Sequence, residues 1–414
     1  MSRGDSDGGL VAPAFRGAPP RRLCTDCGVS RLADPSLCAT ACQFIRPDYG
    51  RAEAAVHGRA RAGEGDELFF GPYRRMLRAR LKQPLASAQW TGITTRIGER
   101  LLETGAVDAV LTMASDPDDH WKPVPVLVTR PEAMSEVRGM KMGHAPLLAL
   151  LEPARDAGYR RLAVIGIPCQ VHALRKLEAH FGFERLYVIG TPCSDNTTTE
   201  RFHQFLALLS PRPETITYLE FRADMLVELR FADGRRRTIP FLELPISELP
   251  GDFFPLTCRT CVDYANALAD LTVGYMGGEG EQWLIVRNPR GEELVALLGD
   301  EVALAPVREK GNRTPHVKGF LENTRRAAGG LPLRRMPKWL RPIVGRLMPL
   351  LAPRGLEFAR ARLEMKAIET VLHLRREAPA RMKHMVPPHV WALAARYGLA
   401  PGPGEEPRPG RTTD

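Results

Sequence analysis

Hydrophobic residues in the middle of the chain follow patterns that predict alternating strands and helices. The apolar runs at 162–167 and 186–189 are short and do not alternate, as is typical of strands buried on both faces of a parallel sheet. Residues 170–182 lie between them, show helical spacing and end at a glycine. This order predicts a strand, a crossover helix and a second parallel strand.

Segments on both sides extend this pattern. Amphipathic helices are predicted at 91–105 and 144–158, with a strand at 106–114 between them. Further strands are predicted at 215–221, at 226–241 as a hairpin that turns at Asp233 and Gly234, at 268–277 and at 281–288. Residues 355–399 are predicted to be helical. We therefore predict the α/β to α+β class, with a mixed β-sheet, flanking helices and a helical C-terminal extension.

Eight cysteines add chemistry to this framework, because they form two groups of four with the spacing of metal ligands and none is left over. The compact N-terminal group is Cys24, Cys27, Cys38 and Cys42. The dispersed second group is Cys169, Cys193, Cys258 and Cys261. Thiolates bind both zinc and iron-sulfur clusters, so the spacing alone leaves the metal undecided.

Two cysteines of the second group follow the predicted parallel strands. Cys169 and Cys193 each close the same sequence, Ile-Gly-x-Pro-Cys. The carboxyl ends of parallel strands meet at one edge of a sheet, where open α/β sheets bind their ligands. We therefore expect both thiols at one site, completed by the CxxC pair Cys258 and Cys261. The alternative is that Cys169 and Cys193 are buried packing residues.

Composition narrows the class of protein. The chain has 414 residues, of which 44% are hydrophobic, and no uncharged apolar stretch approaches the length that spans a bilayer. Residues 1–22 lack the apolar core of a secretory signal and are predicted to be a disordered leader. A disulfide framework is typical of small secreted domains, so we expect reduced cysteines in a cytoplasmic protein.

The net charge of +10 is concentrated in one segment. Between Glu322 and Glu357 there are eight basic residues and no acidic one, interleaved with apolar side chains such as Trp339 and Leu350. This composition is typical of a segment that lies on an anionic membrane surface. A solvated linker followed by a helix packed on the body is the alternative. The pattern matches no RNA-binding motif, so a nucleic-acid partner is not predicted.

A candidate phosphate site lies in "QWTGITT", residues 89–95, which enters a predicted helix. Gly92 permits close backbone approach, and threonine hydroxyls together with the first helical amides can bind a phosphate. Capped helices often begin this way, so the signal is weak by itself. Neither a GxGxxG sequence after a strand nor a P-loop occurs, and a nicotinamide site of the Rossmann type is not supported.

Several stretches of the sequence are similar to those of a known protein family. They include "QWTGITT", "CQVHALR", "LYVIGTPCSDN", "CRTCVDYANALADLTVGYMG" and "GLEFARARLE". On these, the chain resembles the iron-sulfur flavoproteins related to the beta subunits of deazaflavin-reducing hydrogenases, in particular their chlorophyll-pathway branch. The resemblance implies one FAD and two 4Fe-4S clusters, with reduced ferredoxin as electron donor. It favours iron over zinc. The chain departs from the family in its N-terminal cysteine group. The family has a tighter CxxCGxC run, whereas the third cysteine here is Cys38.

The resemblance also implies roles for individual residues. The flavin is expected at Thr91, Gly92, Thr94, Thr95, Lys141, Asn266 and Asp270. All eight cysteines are expected to bind clusters. A proton donor is expected among Asp116, Asp119, His120 and Asp195. For Asp116, Asp119 and His120, the alternative is an Asp-Pro turn with solvated carboxylates. For Asp195, the alternative is an Asx turn.

The implied activity is ferredoxin-dependent reduction of the 8-vinyl group of divinyl chlorophyllide or protochlorophyllide to ethyl, in (bacterio)chlorophyll biosynthesis. Two alternatives stay open: removal of a 7-hydroxyl group on the same scaffold, and an electron-relay subunit of a larger complex. We expect a cytoplasmic enzyme at the surface of the photosynthetic membrane, and leave a homo-oligomer open.

The same expectations divide the chain into six parts. These are a leader (1–22), a cluster-binding segment (23–85), a flavin-binding α/β region (86–200), an α+β region (201–325), a basic and apolar helical extension (326–400) and a disordered tail (401–414).

Overall fold

The computed structural model describes residues 9–15, 17, 23–222, 225–275, 280–329, 337 and 339–406. The strands are β1 (Leu10–Val11), β2 (Arg75–Leu81), β3 (Ala109–Ser115), β4 (Pro123–Val128), β5 (Arg161–Gly166), β6 (Arg185–Gly190), β7 (Ile216–Phe221), β8 (Leu226–Phe231), β9 (Arg236–Pro240), β10 (Leu271–Gly274), β11 (Gln282–Val286), β12 (Val302–Pro306), β13 (Glu309–Lys310) and β14 (Arg354–Gly355). The helices are α1 (Cys38–Ala41), α2 (Tyr49–His57), α3 (Glu67–Phe70), α4 (Ile93–Glu103), α5 (Leu151–Asp156), α6 (Pro168–Phe181), α7 (Thr199–Leu209), α8 (Leu256–Arg259), α9 (Pro289–Ala296), α10 (Arg313–Ala327), α11 (Arg341–Leu351), α12 (Leu356–Glu377), α13 (Met382–Met385) and α14 (Pro388–Ala395).

The main sheet is mixed, as predicted. Over the described residues it has nine strands in the order β1-β4-β3-β5-β6-β10-β11-β2-β12. The pairs β3–β5, β5–β6 and β6–β10 are parallel, and the outer pairs are antiparallel. Gly166 pairs with Gly190 at the ends of β5 and β6, so the two repeated Ile-Gly-x-Pro-Cys endings leave the sheet side by side.

Helices cover both faces of this sheet because its central strands are apolar on both sides. On one face Leu174 of α6 packs with Leu111 and Val164. On the other face Ile97 of α4 packs with Val110. The predicted crossover helix is confirmed as α6, which begins at a proline and ends at Gly182 in the left-handed region.

A second, smaller sheet is built from β7, β8 and β9 and is covered by α7. The predicted hairpin turn is confirmed: Gly234 has a φ of 81°, and the Arg235 amide donates to the Asp233 carboxylate at 3.1 Å. Its core is rich in phenylalanine, including the fully buried Phe202. The predicted C-terminal helices are also confirmed, as α12, α13 and α14.

Some elements differ from the prediction. Leu10–Val11 lie in the predicted leader but pair with β4 as an edge strand. In the predicted tail, Glu405 accepts a hydrogen bond from Arg375 at 2.6 Å. The helix predicted at 144–158 is an α-helix only from Leu151, because a 3₁₀ turn precedes it. The rest of the predicted leader, apart from residues 9–15 and 17, and residues 407–414 lie outside the described residues.

Candidate functional site

The N-terminal cysteines converge at a tight turn. The Asp26 amide contacts Cys24 Sγ at 3.3 Å, and Asp26 and Gly28 both have φ in the left-handed region. The amide of Leu148 donates to the Cys27 carbonyl at 2.9 Å and fixes this turn to the main domain. Burial raises the pKa of the Cys27 thiol, and its neighbours Cys42, Cys24 and Cys38 add to the shift. The four predicted ligands are therefore neighbours in space.

The second group lies at the carboxyl edge of the main sheet. Cys169 is in the first turn of α6 after β5, Cys193 follows β6, and Cys258 and Cys261 frame the end of α8. All four line one narrow cavity together with His144 and Gln43. Burial raises the pKa of Cys258 to about 12 and that of Cys261 to about 11. None of the eight cysteines, all within the described residues, forms a disulfide.

The two groups adjoin each other. The Thr25 hydroxyl, next to Cys24, lies 3.9 Å from Cys169 Sγ. The side-chain amide of Gln43, next to Cys42, lies 3.5 Å from Cys261 Sγ. The two groups are therefore close in space, and Cys24 of the first group is exposed.

The donor chemistry of both cysteine groups fits a metal centre. Each group offers four thiols, and thiolate is a ligand of iron-sulfur clusters as well as of zinc. Buried thiols resist ionisation, and bound iron would offset that cost because it deprotonates the thiols that coordinate it. Among the described side chains, no three His, Cys, Asp or Glu are arranged to hold a single metal ion.

A cleft of about 630 Å³ opens beside the second cysteine group, and Cys193 lines both the cleft and the narrow cavity. The cleft reaches from the carboxyl ends of β5, β6 and β10 to the small sheet. Pockets of this size commonly hold cofactors or drug-sized ligands.

Four of the residues predicted to bind the flavin line this cleft: Gly92, Thr94, Thr95 and Lys141. Helix α4 begins here, and Thr94 and Thr95 of its first turn line the cleft, where helix N-termini favour anions. Its first amide, that of Ile93, donates to Gln282 at 3.0 Å. Burial lowers the pKa of Lys141 to about 8. Its ammonium donates to the carbonyls of Val137 and Arg138 at 2.8 and 2.9 Å. The Gly92 conformation, the helix start and this cation fit a flavin dinucleotide.

Three other predicted flavin residues lie in the framework. The Thr91 hydroxyl donates to Gln282 at 3.1 Å, which joins the start of α4 to β11. The Asn266 side chain is fully buried and donates to the Gly166 carbonyl at 2.8 Å, behind the strand end. Asp270 is fully buried, and its Oδ1 lies 2.7 Å from Arg175 Nη2 and 3.0 Å from Arg290 Nε. Thr91 and Asp270 use their polar groups within the protein, whereas Asn266 Oδ1 is buried without a hydrogen-bond partner. None of these three residues, all within the described ranges, lines the cleft.

Replacing Asp270 by asparagine is expected to lower the free energy of unfolding by about 3–5 kcal/mol, because it removes the buried carboxylate that Arg175 and Arg290 share. Among the described residues, the buried Arg175 then keeps only the more exposed Glu178 as a charge partner. Urea unfolding of the variant and the parent checks this. As a control, Asp252→Asn removes an exposed partner of Arg201 and is expected to cost less than about 1 kcal/mol. A stable Asp270 variant that had lost only its flavin would show instead that Asp270 binds the cofactor.

The acid–base candidates separate in the structure. Asp116 pairs with Lys122 at 2.7 Å, and Asp119 contacts His203 at 2.8 Å, both on the loop after β3. His120 packs edge-on against Trp121 in the same loop. None of these three, all within the described residues, lines the cleft. All three therefore lie on a loop outside the cleft, and their role as proton donors stays a prediction.

Asp195 does line the cleft, two residues after Cys193. Lys366 of α12 donates to Asp195 at 2.8 Å, to the Cys258 carbonyl at 2.8 Å and to Glu369 at 2.9 Å. Burial raises the pKa of Asp195, and the Lys366 ammonium offsets part of the shift. An acid therefore lies where the cleft meets the second cysteine group.

Sequence reasoning missed two features of the cleft wall. Trp90 has a φ of 58° and stacks on Tyr275, with ring centroids 5.0 Å apart. Arg362 of α12 lines the cleft beside Tyr275 and lies 5.5 Å from the Phe358 ring centroid. Its Nε is buried without a hydrogen-bond partner. Against the effect of burial, Tyr275 and the nearby charge of Asp195 raise the pKa of Arg362. The only available signal was that Arg362 falls within the family-like stretch "GLEFARARLE".

The small sheet and its connections add an aromatic chamber to the cleft, which we define by Phe202, Phe205, Phe221, Phe241, Phe253 and Phe254. The rings contact one another: Phe253 and Phe254 are 4.9 Å apart, and Phe205 and Phe221 are 6.4 Å apart. Such a wall suits a large, flat and apolar ligand.

The fold and the site define an α/β protein with a cofactor-sized cleft beside the second of two adjoining groups of four cysteines. Two family models match it: coenzyme F420 hydrogenase/dehydrogenase beta subunit, N-term, over residues 76–152, and the C terminus of the same subunit over residues 159–309. The chain belongs to this family. The predicted relationship to deazaflavin-reducing hydrogenase beta subunits is thereby confirmed.

Individual relatives match over most of the chain. The 7-hydroxymethyl chlorophyll a reductase of Oryza sativa subsp. japonica is 36% identical over 92% of this chain and 83% of its own length. The protein all1601 of Nostoc is 35% identical over 92% of this chain and 95% of its own length. A chain in the F420-reducing NiFe hydrogenase complex of Methanosarcina barkeri has a TM-score of 0.54 at 20% identity, covering 73% of this chain and 92% of that one. This last likeness confirms the predicted fold class.

Proposed function

We propose that the chain is a ferredoxin-dependent iron-sulfur flavoenzyme that reduces the 8-vinyl group of divinyl chlorophyllide or protochlorophyllide to ethyl in (bacterio)chlorophyll biosynthesis. The observation that carries the proposal is a single cleft that joins the predicted flavin residues, the second cysteine group and the aromatic chamber. A pure relay has no use for such a chamber. The relationship to a chlorophyll reductase supports a pigment as the ligand.

The cofactors are assigned to the residues that fit them. Cys24, Cys27, Cys38 and Cys42 would hold one 4Fe-4S cluster, and Cys169, Cys193, Cys258 and Cys261 the other. Gly92, Thr94, Thr95 and Lys141 would hold the FAD through its phosphates and polar edges. When bound, the clusters supply single electrons and the flavin supplies two-electron reduction. Ferredoxin would dock near the exposed Cys24.

The pigment would lie in the aromatic chamber, which excludes water from its apolar macrocycle. Chlorophyllides also carry a free propionate carboxylate. Arg362 is a cation at the wall of the same cleft, its Nε is buried without a hydrogen-bond partner, and it would bind this carboxylate. The chamber and Arg362 together would fix the orientation of the ring.

The substrate carboxylate gives a test of Arg362. Arg362→Gln is expected to raise KM for divinyl chlorophyllide by at least about tenfold, since a hydrogen-bonded charge pair is worth roughly 1.5–3 kcal/mol. It should change KM for the methyl ester little, because the ester carries no charge to lose. Steady-state kinetics on both substrates measures the two effects. Arg375→Gln is the matched control. Arg375 lies on α12, as Arg362 does, and its replacement removes the ion pair with Glu405. Equal losses for acid and ester would contradict the assignment.

Asp195 is proposed as the proton donor, because it alone of the four acid–base candidates lines the cleft. Lys366 would hold its carboxyl group in place from α12. Reduction of a vinyl group needs one proton for each hydride equivalent, so a positioned acid is required.

A parallel assay distinguishes the proposed reaction from its competitors. The anaerobic holoprotein is supplied with reduced ferredoxin and either divinyl chlorophyllide or 7-hydroxymethyl chlorophyll a, and products are separated by chromatography. We expect the 8-ethyl product from the first and no product from the second. The second candidate function is reduction of 7-hydroxymethyl chlorophyll a, which the 36% identity to the rice enzyme favours. Turnover of this pigment and not of divinyl chlorophyllide would support it. Turnover of neither pigment by a chain that ferredoxin does reduce would favour a relay subunit.

A further inference from the structure

Helix α11 carries an apolar stripe that faces outward. Ile343, Leu347, Leu350 and Leu351 are 52%, 45%, 73% and 70% exposed, and their spacing places them on one side of the helix. Trp339, just before the helix, is 72% exposed. These five are most of the eight large hydrophobic residues that are exposed over the described ranges. A contiguous exposed patch of this kind marks a surface that binds a partner.

The opposite side of α11 is fixed to the body of the protein. The helix packs against β9 and the turn Phe241–Glu243. Gly345 is buried there, and a Cβ at this position would lie 3.2 Å from the Cβ of Pro240. The outward stripe is therefore held in place rather than left free to fold back.

Charge identifies the partner. Arg346 is exposed beside the stripe, and the sequence between Glu322 and Glu357 has eight basic residues and no acidic one. Five of these eight, including Lys338, lie before α11, and those at 334, 335 and 338 fall outside the described residues. Apolar anchors surrounded by cations match the acyl chains and headgroups of an anionic bilayer. Tryptophan is enriched at that same interface.

We propose that α11 docks in the plane of an anionic membrane, with Trp339, Leu350 and Leu351 inserted among the lipids. In the described part of the chain, no helix is both long and apolar enough to cross a bilayer, so the contact is peripheral. Phe241, in the turn under α11, lines the cleft, which places the docked face next to the aromatic chamber. The entry of an apolar pigment from the bilayer rests on the proposed function; the membrane contact itself does not.

Vesicle cosedimentation of the full holoprotein tests the contact. Vesicles of phosphatidylcholine with phosphatidylglycerol are expected to bind the parent, and vesicles of phosphatidylcholine alone to bind it weakly. The double variant Leu350→Ser, Leu351→Ser should lower the partition coefficient at least about tenfold, because it removes two apolar anchors. Arg346→Glu and added salt should weaken binding to the anionic vesicles. Leu304→Ser, at a residue 41% exposed on β12, is the matched control and should bind like the parent.

Turnover of detergent-dispersed pigment separates this inference from the proposed function. The double variant should keep the parent rate with dispersed pigment and lose rate only with pigment supplied in vesicles. Equal vesicle binding by the parent and the double variant would overturn the inference, whatever the activity. A dimer in solution that the double variant abolishes, without vesicle binding by the parent, would also overturn it and make the stripe a protein interface.

Discussion

Replacing Cys193 by serine is expected to abolish ferredoxin-driven pigment reduction and to remove about four of about eight irons per chain. Cys193 is at the junction of the site, because it lines both the narrow cavity of the second cysteine group and the cleft. Serine offers a poorer ligand for iron than thiolate does. Iron analysis, the visible spectrum and the turnover rate of the anaerobically purified variant measure the effect.

Two further variants make this result specific. Cys27→Ser should remove the other irons and leave the second cluster and the flavin in place, since it belongs to the N-terminal group. Ser194→Ala, next to Cys193, should keep all the iron and is the matched control. An enzyme that retained its full iron content and activity in Cys193→Ser would contradict the assignment of the second group.

The second large effect is expected at Asp195. Asp195→Asn should lower kcat by about 10²–10⁴-fold, which is the range for a lost general acid. Iron and flavin contents should be unchanged, because the amide keeps the shape of the side chain. Steady-state turnover with reduced ferredoxin measures kcat, and reduction of the bound flavin by ferredoxin should proceed at the parent rate.

Asp116 and Asp119 supply the controls for Asp195. Both carboxylates lie on the surface loop after β3, where Asp116 pairs with Lys122 and Asp119 with His203 of α7. Their replacement by asparagine is therefore expected to change kcat less than about twofold. A large loss in Asp119→Asn with normal activity in Asp195→Asn would show that the loop, and not the edge of the sheet, supplies the proton.

The sequence was sufficient for the features that follow from local pattern. Short apolar runs predicted β5 and β6, and their shared ending placed Cys169 and Cys193 at one edge. The Asp233-Gly234 turn predicted the hairpin of β8 and β9. Such signals are local because burial on both faces and turn chemistry act on neighbouring residues.

Strand β2 shows where local pattern was insufficient. It reads "RMLRARL", with three arginines, yet it lies inside the main sheet between β11 and β12. Arg75 pairs with Glu292, and Arg78 pairs with Glu281. The aliphatic parts of the arginine side chains can therefore cover the sheet while their guanidinium groups stay paired. Leu77, Ala79 and Leu81 alternate with Arg78 and Arg80 and pack in the core. Three alternating positions in an arginine-rich stretch are too short a signal to identify a strand in the sequence.

The site depended on contacts between distant segments. Asp116 and Asp195 look equally suitable in the sequence, and only the fold separates a surface loop from the cleft. Arg362 and Lys366 reach the cleft because α12 packs across it, more than 160 residues after Cys193. The aromatic chamber assembles phenylalanines from 202 to 254 that show no common motif. Tertiary packing decides all three, so a single sequence cannot reveal them.

The most direct test of the account is cofactor analysis of the anaerobically purified chain followed by reduction with ferredoxin. About eight irons, about eight sulfides and about one FAD per chain are expected. About four equivalents of reduced ferredoxin, one electron for each cluster and two for the flavin, should bleach all three cofactors. Added divinyl chlorophyllide should then reoxidise them as the 8-ethyl product appears. Zinc in place of iron, or a chain without flavin, would contradict the account.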